Sequence, residues 1–249
     1  MTNTPAASAG NDAPSRLVAT GIGKEFGHVR ALAGVDVSVG QREILGLIGP
    51  NGSGKTTLLN AITGVVKPDE GTFQLGDKSW QWLPPHRVSR LGIARTFQSV
   101  RLFVGMTVFE NVRVAATASL SARAAGERAM EVMAQLGIDE QADQLVENLP
   151  YGARRATELA RALAQRPSFV LLDEPAAGLD AAEAQELGNT LRRIRDQYGC
   201  GVVVVDHDVG LIMRNCDSVL VLHEGSVIAH GAPSEVRSDP AVIKAYLGS

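Results

Sequence analysis

Hydrophobic and polar positions follow different rhythms in different parts of this chain, and each rhythm predicts an element. Residues 17–22, and then Val35, Val37 and Val39, alternate with polar residues as strands of a half-exposed sheet do, and residues 72–75 continue that sheet. Ile44, Leu45, Leu47 and Ile48 around Gly46, residues 169–172 and residues 202–205 are instead short apolar runs, the pattern of strands buried on both faces of a parallel sheet. Leu58, Leu59 and Ile62 share one face of a helix that Gly64 can stop. Residues 111–118 and 122–136 are Ala-rich with helical spacing, Gly137 is a natural stop, and strand signals are absent as far as Leu149. Asp180 precedes a helix with Leu187, Leu191 and Ile194 on one face, ending near Gly199. Residues 219–222, the turn Glu224-Gly225 and residues 226–229 predict a hairpin, followed by a helix entered through Asp239-Pro240 and left at Gly248. Trp80 and Trp82 fall in a Pro-bounded loop and read as packing residues. The sum is an α/β chain with a helical insert.

Composition narrows this. With 249 residues, 45% hydrophobic and 20% charged, the chain can bury one large core or a core plus a smaller subdomain. A net charge of -3 argues against a broad nucleic-acid-binding surface, so no nucleic-acid partner is expected, although a local basic patch stays open. No apolar run approaches the roughly 20 residues of a membrane helix, so any membrane role must be borrowed from a partner. Residues 1–15 are rich in Ala, Ser, Thr, Asn and Pro, without a basic start or apolar h-region, and are expected to form a disordered tail. Cys200 and Cys216 lack metal-ligand spacing and read as small hydrophobes, which suits a reducing cytoplasm.

Candidate chemistry centres on Gly49-Pro50-Asn51-Gly52-Ser53-Gly54-Lys55-Thr56-Thr57, which fits the phosphate-loop pattern GxxxxGK[ST]. A strand leading through a glycine-rich turn into a helix points several backbone N–H groups, and the positive helix end, at one spot where a polyphosphate fits. Gly49, Gly52 and Gly54 let the backbone approach, Lys55 brings an ammonium to the β- and γ-phosphates, and the Thr56 hydroxyl can ligate Mg²⁺. The alternative is a tight strand-to-helix turn with no ligand. Asp173 and Glu174 stand at the C-terminal end of a buried strand, the edge where open α/β sheets bind ligands. There Asp173 would hold Mg²⁺ and Glu174 would position or activate a water, unless the pair merely caps the next helix. His207 stands at the same edge, where an imidazole could hydrogen-bond a γ-phosphate. Phe26 is either core or a ring stacked on a base, a contact that reads only the π face.

Taken in order, GPNGSGKTT, Gln98, Asn148-Leu149-Pro150-Tyr151-Gly152-Ala153, LLDEP, Ala177-Gly178-Leu179-Asp180 and His207 resemble the nucleotide-binding subunit of an ABC transporter, over nearly the whole chain. Each motif alone is weak, and their order is what makes the match specific. GIARTFQ, LFVGMTVFENV, LPYG, LDEPAAGLD and the ending AYLG look most like the ATPases of branched-chain amino acid type importers. The resemblance implies a P-loop NTPase core with a mostly parallel sheet and an antiparallel β part (residues 16–98 and 161–249), plus a helical subdomain at 99–160 that would grip the permease. It implies ATP and Mg²⁺ as ligands. Phe26 would stack on adenine, residues 49–57 would hold the phosphates, and Thr56, Gln98 and Asp173 would serve the metal. Glu174 would be the catalytic base, with Lys55, Gln98 and His207 beside it. Leu149, Pro150, Tyr151, Gly152 and Asp180 would approach the nucleotide of a partner, because such subunits resemble half of a machine with ATP sandwiched between two cassettes.

The implied role is to hydrolyse ATP at the cytoplasmic face of the plasma membrane, driving uptake of branched-chain amino acids or related small solutes through separate permease subunits, with a solute-binding protein as an indirect partner. Two features depart from the family. The usual signature LSGGQ appears as Leu149-Pro150-Tyr151-Gly152-Ala153, and the insert between Ala118 and Glu127 is short. Since Pro150 carries no hydroxyl, a second, different cassette with an intact signature is expected, with a homodimer as the alternative. The rival readings are a low-turnover regulatory cassette and a non-transport ABC ATPase; the latter usually calls for tandem cassettes or a long coiled coil, which this chain lacks.

Overall fold

A computed structural model describes residues 15–247, so the tail expected at 1–15, apart from Ser15, and the stop expected at Gly248 lie outside the described residues. In chain order the elements are β1 (Arg16–Phe26), β2 (Val29–Gly40), β3 (Ile44–Ile48), α1 (Lys55–Ile62), β4 (Glu70–Leu75), β5 (Lys78–Trp80), α2 (Pro85–Arg90), β6 (Ile93–Arg95), α3 (Val108–Ala116), α4 (Ala122–Gln135), α5 (Tyr151–Ala164), β7 (Phe169–Asp173), α6 (Ala181–Gln197), β8 (Gly201–Val205), α7 (Val209–Asn215), β9 (Ser218–His223), β10 (Ser226–Gly231), α8 (Pro233–Ser238) and α9 (Pro240–Leu247).

The strands form two sheets. The first is antiparallel, in the order β2-β1-β4-β5. The second runs β10-β9-β3-β8-β7-β6, with every pair parallel except the β9–β10 hairpin at its edge. β3, β7 and β8 are buried throughout, which explains why they are written as apolar runs rather than alternations. Their side chains still divide by strand period. Ile44, Ile48, Val170, Leu172, Val202 and Val204 join one core with residues of α3 to α6, whereas Leu45, Leu47, Leu171, Val203 and Val205 join a second core with α1 and the antiparallel sheet. Gly46 sits where α7 presses on the sheet: a Cβ there would meet Ile212 Cγ2 at 2.4 Å and Cys216 Sγ at 3.0 Å. Both thiols are buried, and burial pushes Cys200 up to about 11 and Cys216 up to about 12, so they stay protonated and behave as packing groups.

The structure corrects the sequence reading at several places. Trp80 ends strand β5 and stacks on Phe73 of β4, with ring centroids 6.0 Å apart. Trp82 does lie in a loop, where its indole N–H donates to the Gly64 carbonyl. Lys24, Glu25 and Phe26 belong to β1, carried there through register shifts, so the connection to β2 is only Gly27-His28. Strand β6 and helices α2 and α8, which the sequence pattern did not announce, are three to six residues long, too short to show a period.

Candidate functional site: a phosphate-loop cavity at the sheet edge

The phosphate loop leaves the C-terminal end of β3. Gly49 (φ +152°) and Gly54 (φ +104°) occupy positions where a Cβ would meet the Leu222 carbonyl at 2.1 Å and the Ala31 carbonyl at 2.5 Å, so only glycine allows the loop this path. α1 starts at Lys55 with no side-chain cap, leaving its first N–H groups turned to the loop. A cavity of about 400 Å³ opens here, lined by residues 51–57, Val29, Arg30 and Ala31 of the antiparallel sheet, Glu224, Glu174 and His207.

Lys55 is buried, and its Nζ donates to the carbonyls of Gly49 (2.7 Å) and Pro50 (2.9 Å). Burial pulls the ammonium below its ordinary value, while the carboxylates of Glu174 and Asp173 act in the other direction. A cation held this way, desolvated and facing a cavity, gains most from an anionic ligand.

Asp173 closes β7 and is buried. Its Oδ2 accepts from Arg95 at 2.7 Å, while Oδ1 is buried without a hydrogen-bond partner. Arg95 also donates to Asn60 of α1 and to Thr63, the C-cap of that helix, so the guanidinium ties β6, β7 and α1 together under the cavity. Arg95 has no role in the sequence reading, because the three-residue strand that it ends is too short to show a period.

Glu174 has φ +50°, a conformation that L residues seldom hold unless their surroundings over-determine it. Its N–H donates to Val205, its Oε2 accepts from Gln98 Nε2 at 2.8 Å, and its Oε1 lies 3.0 Å from His207 Nε2. The carboxylate of Asp206, next in the chain to His207, accepts from the N–H groups of Ala176 and Asp208 and so fixes the two loops against each other.

The fold therefore brings Lys55, Thr56, Gln98, Asp173, Glu174 and His207 to one edge. Other expected residues lie elsewhere. Phe26 is 49% exposed, so it is not core, and Lys24 Nζ stands 5.3 Å from its ring. Phe26 does not line the cavity, though its cross-strand partner Val29 does. Pro150 is the N-cap of α5 without a side-chain bond; Leu149 is buried, Tyr151 is 45% exposed and Gly152 adjoins Glu183. Asp180 caps α6, accepting from the N–H groups of Ala182 and Glu183. None of these four signature residues, nor Asp180, borders the phosphate cavity of the same chain.

Among the described residues no group of three or more His, Cys, Asp and Glu could hold a metal. The candidate Mg²⁺ set has a different composition, one carboxylate with a hydroxyl and an amide, and Mg²⁺ commonly takes only one or two carboxylates beside substrate phosphates. The unpartnered Asp173 Oδ1 fits that use.

Comparison with known proteins agrees with this geometry. The family model described as ABC transporter matches residues 32–177, and the one described as branched-chain amino acid ATP-binding cassette transporter matches residues 226–249. The chain is 38% identical to the high-affinity branched-chain amino acid transport ATP-binding protein LivG of Salmonella typhimurium, over 93% of this chain and 97% of that protein. It is 36% identical to the lipopolysaccharide export system ATP-binding protein LptB of Escherichia coli, again over 93% of this chain and 97% of that one. The crystal structure of the ADP conformation of MJ1267, an ATP-binding cassette of an ABC transporter, superposes with a TM-score of 0.84 at 29% identity, covering 95% of this chain and 100% of that chain. The chain belongs to the ABC transporter family, as an ATP-hydrolysing ATP-binding cassette.

Proposed function

We propose that this cassette powers uptake of branched-chain amino acids or related small solutes through separate permease subunits at the cytoplasmic face of the membrane, and that Glu174 is its catalytic base. The observation that carries the hydrolytic part is the strained Glu174, held between Gln98 and His207 at the mouth of the phosphate cavity. Glu174 accepts a proton from the water that attacks the γ-phosphate. Lys55 and the N–H groups of the loop and of α1 stabilise the developing charge, and His207 orients Glu174 and contacts the γ-phosphate. Thr56, Gln98 and Asp173 would hold Mg²⁺, which when bound neutralises phosphate charge. Phe26 stacks on the base from the rim.

The match of residues 226–249 to the branched-chain amino acid model favours that solute class over the export reading that a relative such as LptB would suggest. Because the signature face of a chain lies apart from its own cavity, the site is completed by a second cassette. Pro150 has neither hydroxyl nor N–H, so an anion opposite it loses at least one charge-assisted bond, about 1.5–3 kcal/mol. This favours a heterodimer in which a different cassette brings an intact signature to this chain's Glu174, with the opposite site slower. Residues 99–160 form the subdomain that meets the permease.

Purification from detergent-solubilised membranes, followed by reconstitution of the recovered complex in vesicles, tests the reading. ATP hydrolysis stimulated by a binding protein loaded with leucine, isoleucine or valine supports it. Stimulation by lipopolysaccharide and by no amino acid would overturn it.

A further inference from the structure

Arg155 lies one turn into α5, and the chemistry above gives it no part. Its side chain is 9% exposed, and every nitrogen of its guanidinium is engaged. Nη1 donates to the Phe97 carbonyl at 2.9 Å, Nη2 to the carbonyls of Gln98 at 2.7 Å and Glu174 at 3.4 Å, and Nε to the Tyr151 hydroxyl at 2.9 Å. One planar group thus spans the two segments that carry Gln98 and Glu174 and the first residue of the signature helix.

We propose that Arg155 is a positioning residue for ATP hydrolysis: it sets the backbones of Gln98 and Glu174 against each other and, through Tyr151, makes that setting depend on the N-terminus of α5. The proposal rests on Glu174 as the base. Three features support it. Glu174 sits at φ +50°, a conformation that persists only where neighbours fix it, and the Arg155 contact to its carbonyl is one of those fixings. Glu158, one turn further along α5, accepts from the N–H groups of Phe97 and Arg101, so α5 grips the Gln98 segment from both sides of that residue. Tyr151 is packed as well as bonded: a Cβ on Gly178, in the loop between Glu174 and α6, would lie 3.3 Å from its ring. A shift of the α5 N-terminus when a partner's nucleotide docks there moves the Tyr151 hydroxyl, the guanidinium bonded to it, and the carbonyls that guanidinium holds. Neighbouring Arg154 differs in its targets, donating to Leu149 and Glu147 and reaching neither Gln98 nor Glu174.

The test is a double-mutant cycle on the full-length chain within the complex recovered from detergent-solubilised membranes, with Arg155→Met, Arg155→Lys, Tyr151→Phe and the double Arg155→Met/Tyr151→Phe, and with Glu174→Gln in parallel. Turnover is expressed per nucleotide bound at equilibrium, so a partly unfolded preparation does not count as a slow one. Arg155→Met should lower kcat about tenfold or more while ATP affinity stays within about threefold. Lysine restores the charge but not the fork and should recover only part of the loss. Tyr151→Phe keeps the ring against Gly178 and should cost about twofold to threefold, and it should cost nothing further once Arg155 is gone. Wild-type turnover per bound nucleotide in Arg155→Met, full recovery with lysine, or multiplicative losses in the double variant would each overturn the proposal. If Glu174→Gln hydrolyses at the wild-type rate, the base assignment fails and the positioning role falls with it; if Glu174→Gln is inactive while Arg155→Met is unimpaired, only the positioning role fails.

Discussion

The phosphate loop and the Glu174 cluster border the same cavity, yet they are built in opposite ways. The loop is local: residues 49–57 are contiguous, and Lys55 bonds to carbonyls five and six positions before it. Glu174 is assembled from afar, with Gln98 76 positions away, His207 33 away and Arg155 19 away. A ligand-binding feature written in one stretch can be read from that stretch. A catalytic arrangement made of side chains from several strand ends exists only once the sheet has ordered them.

That contrast separates binding from chemistry, and variants can break it or sharpen it. The largest effect is expected at Glu174: replacement by Gln should leave nucleotide binding in place and slow steady-state hydrolysis by about 10²-fold or more. Lys55→Ala should act on binding instead. It removes a desolvated ammonium from the cavity, and the loss of one charge-assisted bond predicts about 10- to 100-fold weaker ATP affinity by equilibrium titration. Unchanged affinity there would mean that the loop does not hold the phosphates.

A smaller change is expected at Phe26. Its ring is exposed and already faces Lys24, so Phe26→Ala should weaken ATP binding by about 1 kcal/mol, near fivefold, and Phe26→Tyr should be nearly silent. No change in a folded alanine variant would remove the ring from the nucleotide site. Glu158→Gln should show the smallest effect, a pH-dependent one in stability. Burial raises the Glu158 carboxyl above its ordinary range, so the folded state favours its protonated form. Stability of the wild type is therefore lost through this group as pH rises from the ordinary carboxylate range through the raised value, and the glutamine variant lacks that loss. Urea midpoints at acidic and neutral pH should show the variant gaining on the wild type as pH rises; a constant difference would contradict the sign.

The same contrast governs what the sequence discloses. β3, α1, β7, β8 and the β9–β10 hairpin are legible because each carries its own periodicity or turn chemistry. The loop residues, and the places of Asp173, Glu174 and His207 at strand ends, follow from those elements. Arg95, Arg155 and Glu158 do not, because what they do depends on partners 19 to 78 positions away, and an arginine on an Ala-rich helix reads as a solvated charge until the fold buries it. β5 and β6 are three residues each and acquire strand geometry only from their neighbours in the sheet.

The central claim is that binding resides in the loop while hydrolysis resides in the cluster around Glu174. His207→Ala tests it most directly, because the imidazole touches Glu174 Oε1 and makes no bond to the loop. Single-turnover hydrolysis and ATP affinity should be measured on one preparation of the variant. The account predicts a rate reduced by about 10²-fold, with affinity lowered by no more than about tenfold, the loss of one contact to the γ-phosphate. An unchanged rate, or an affinity that falls in step with the rate, would contradict it.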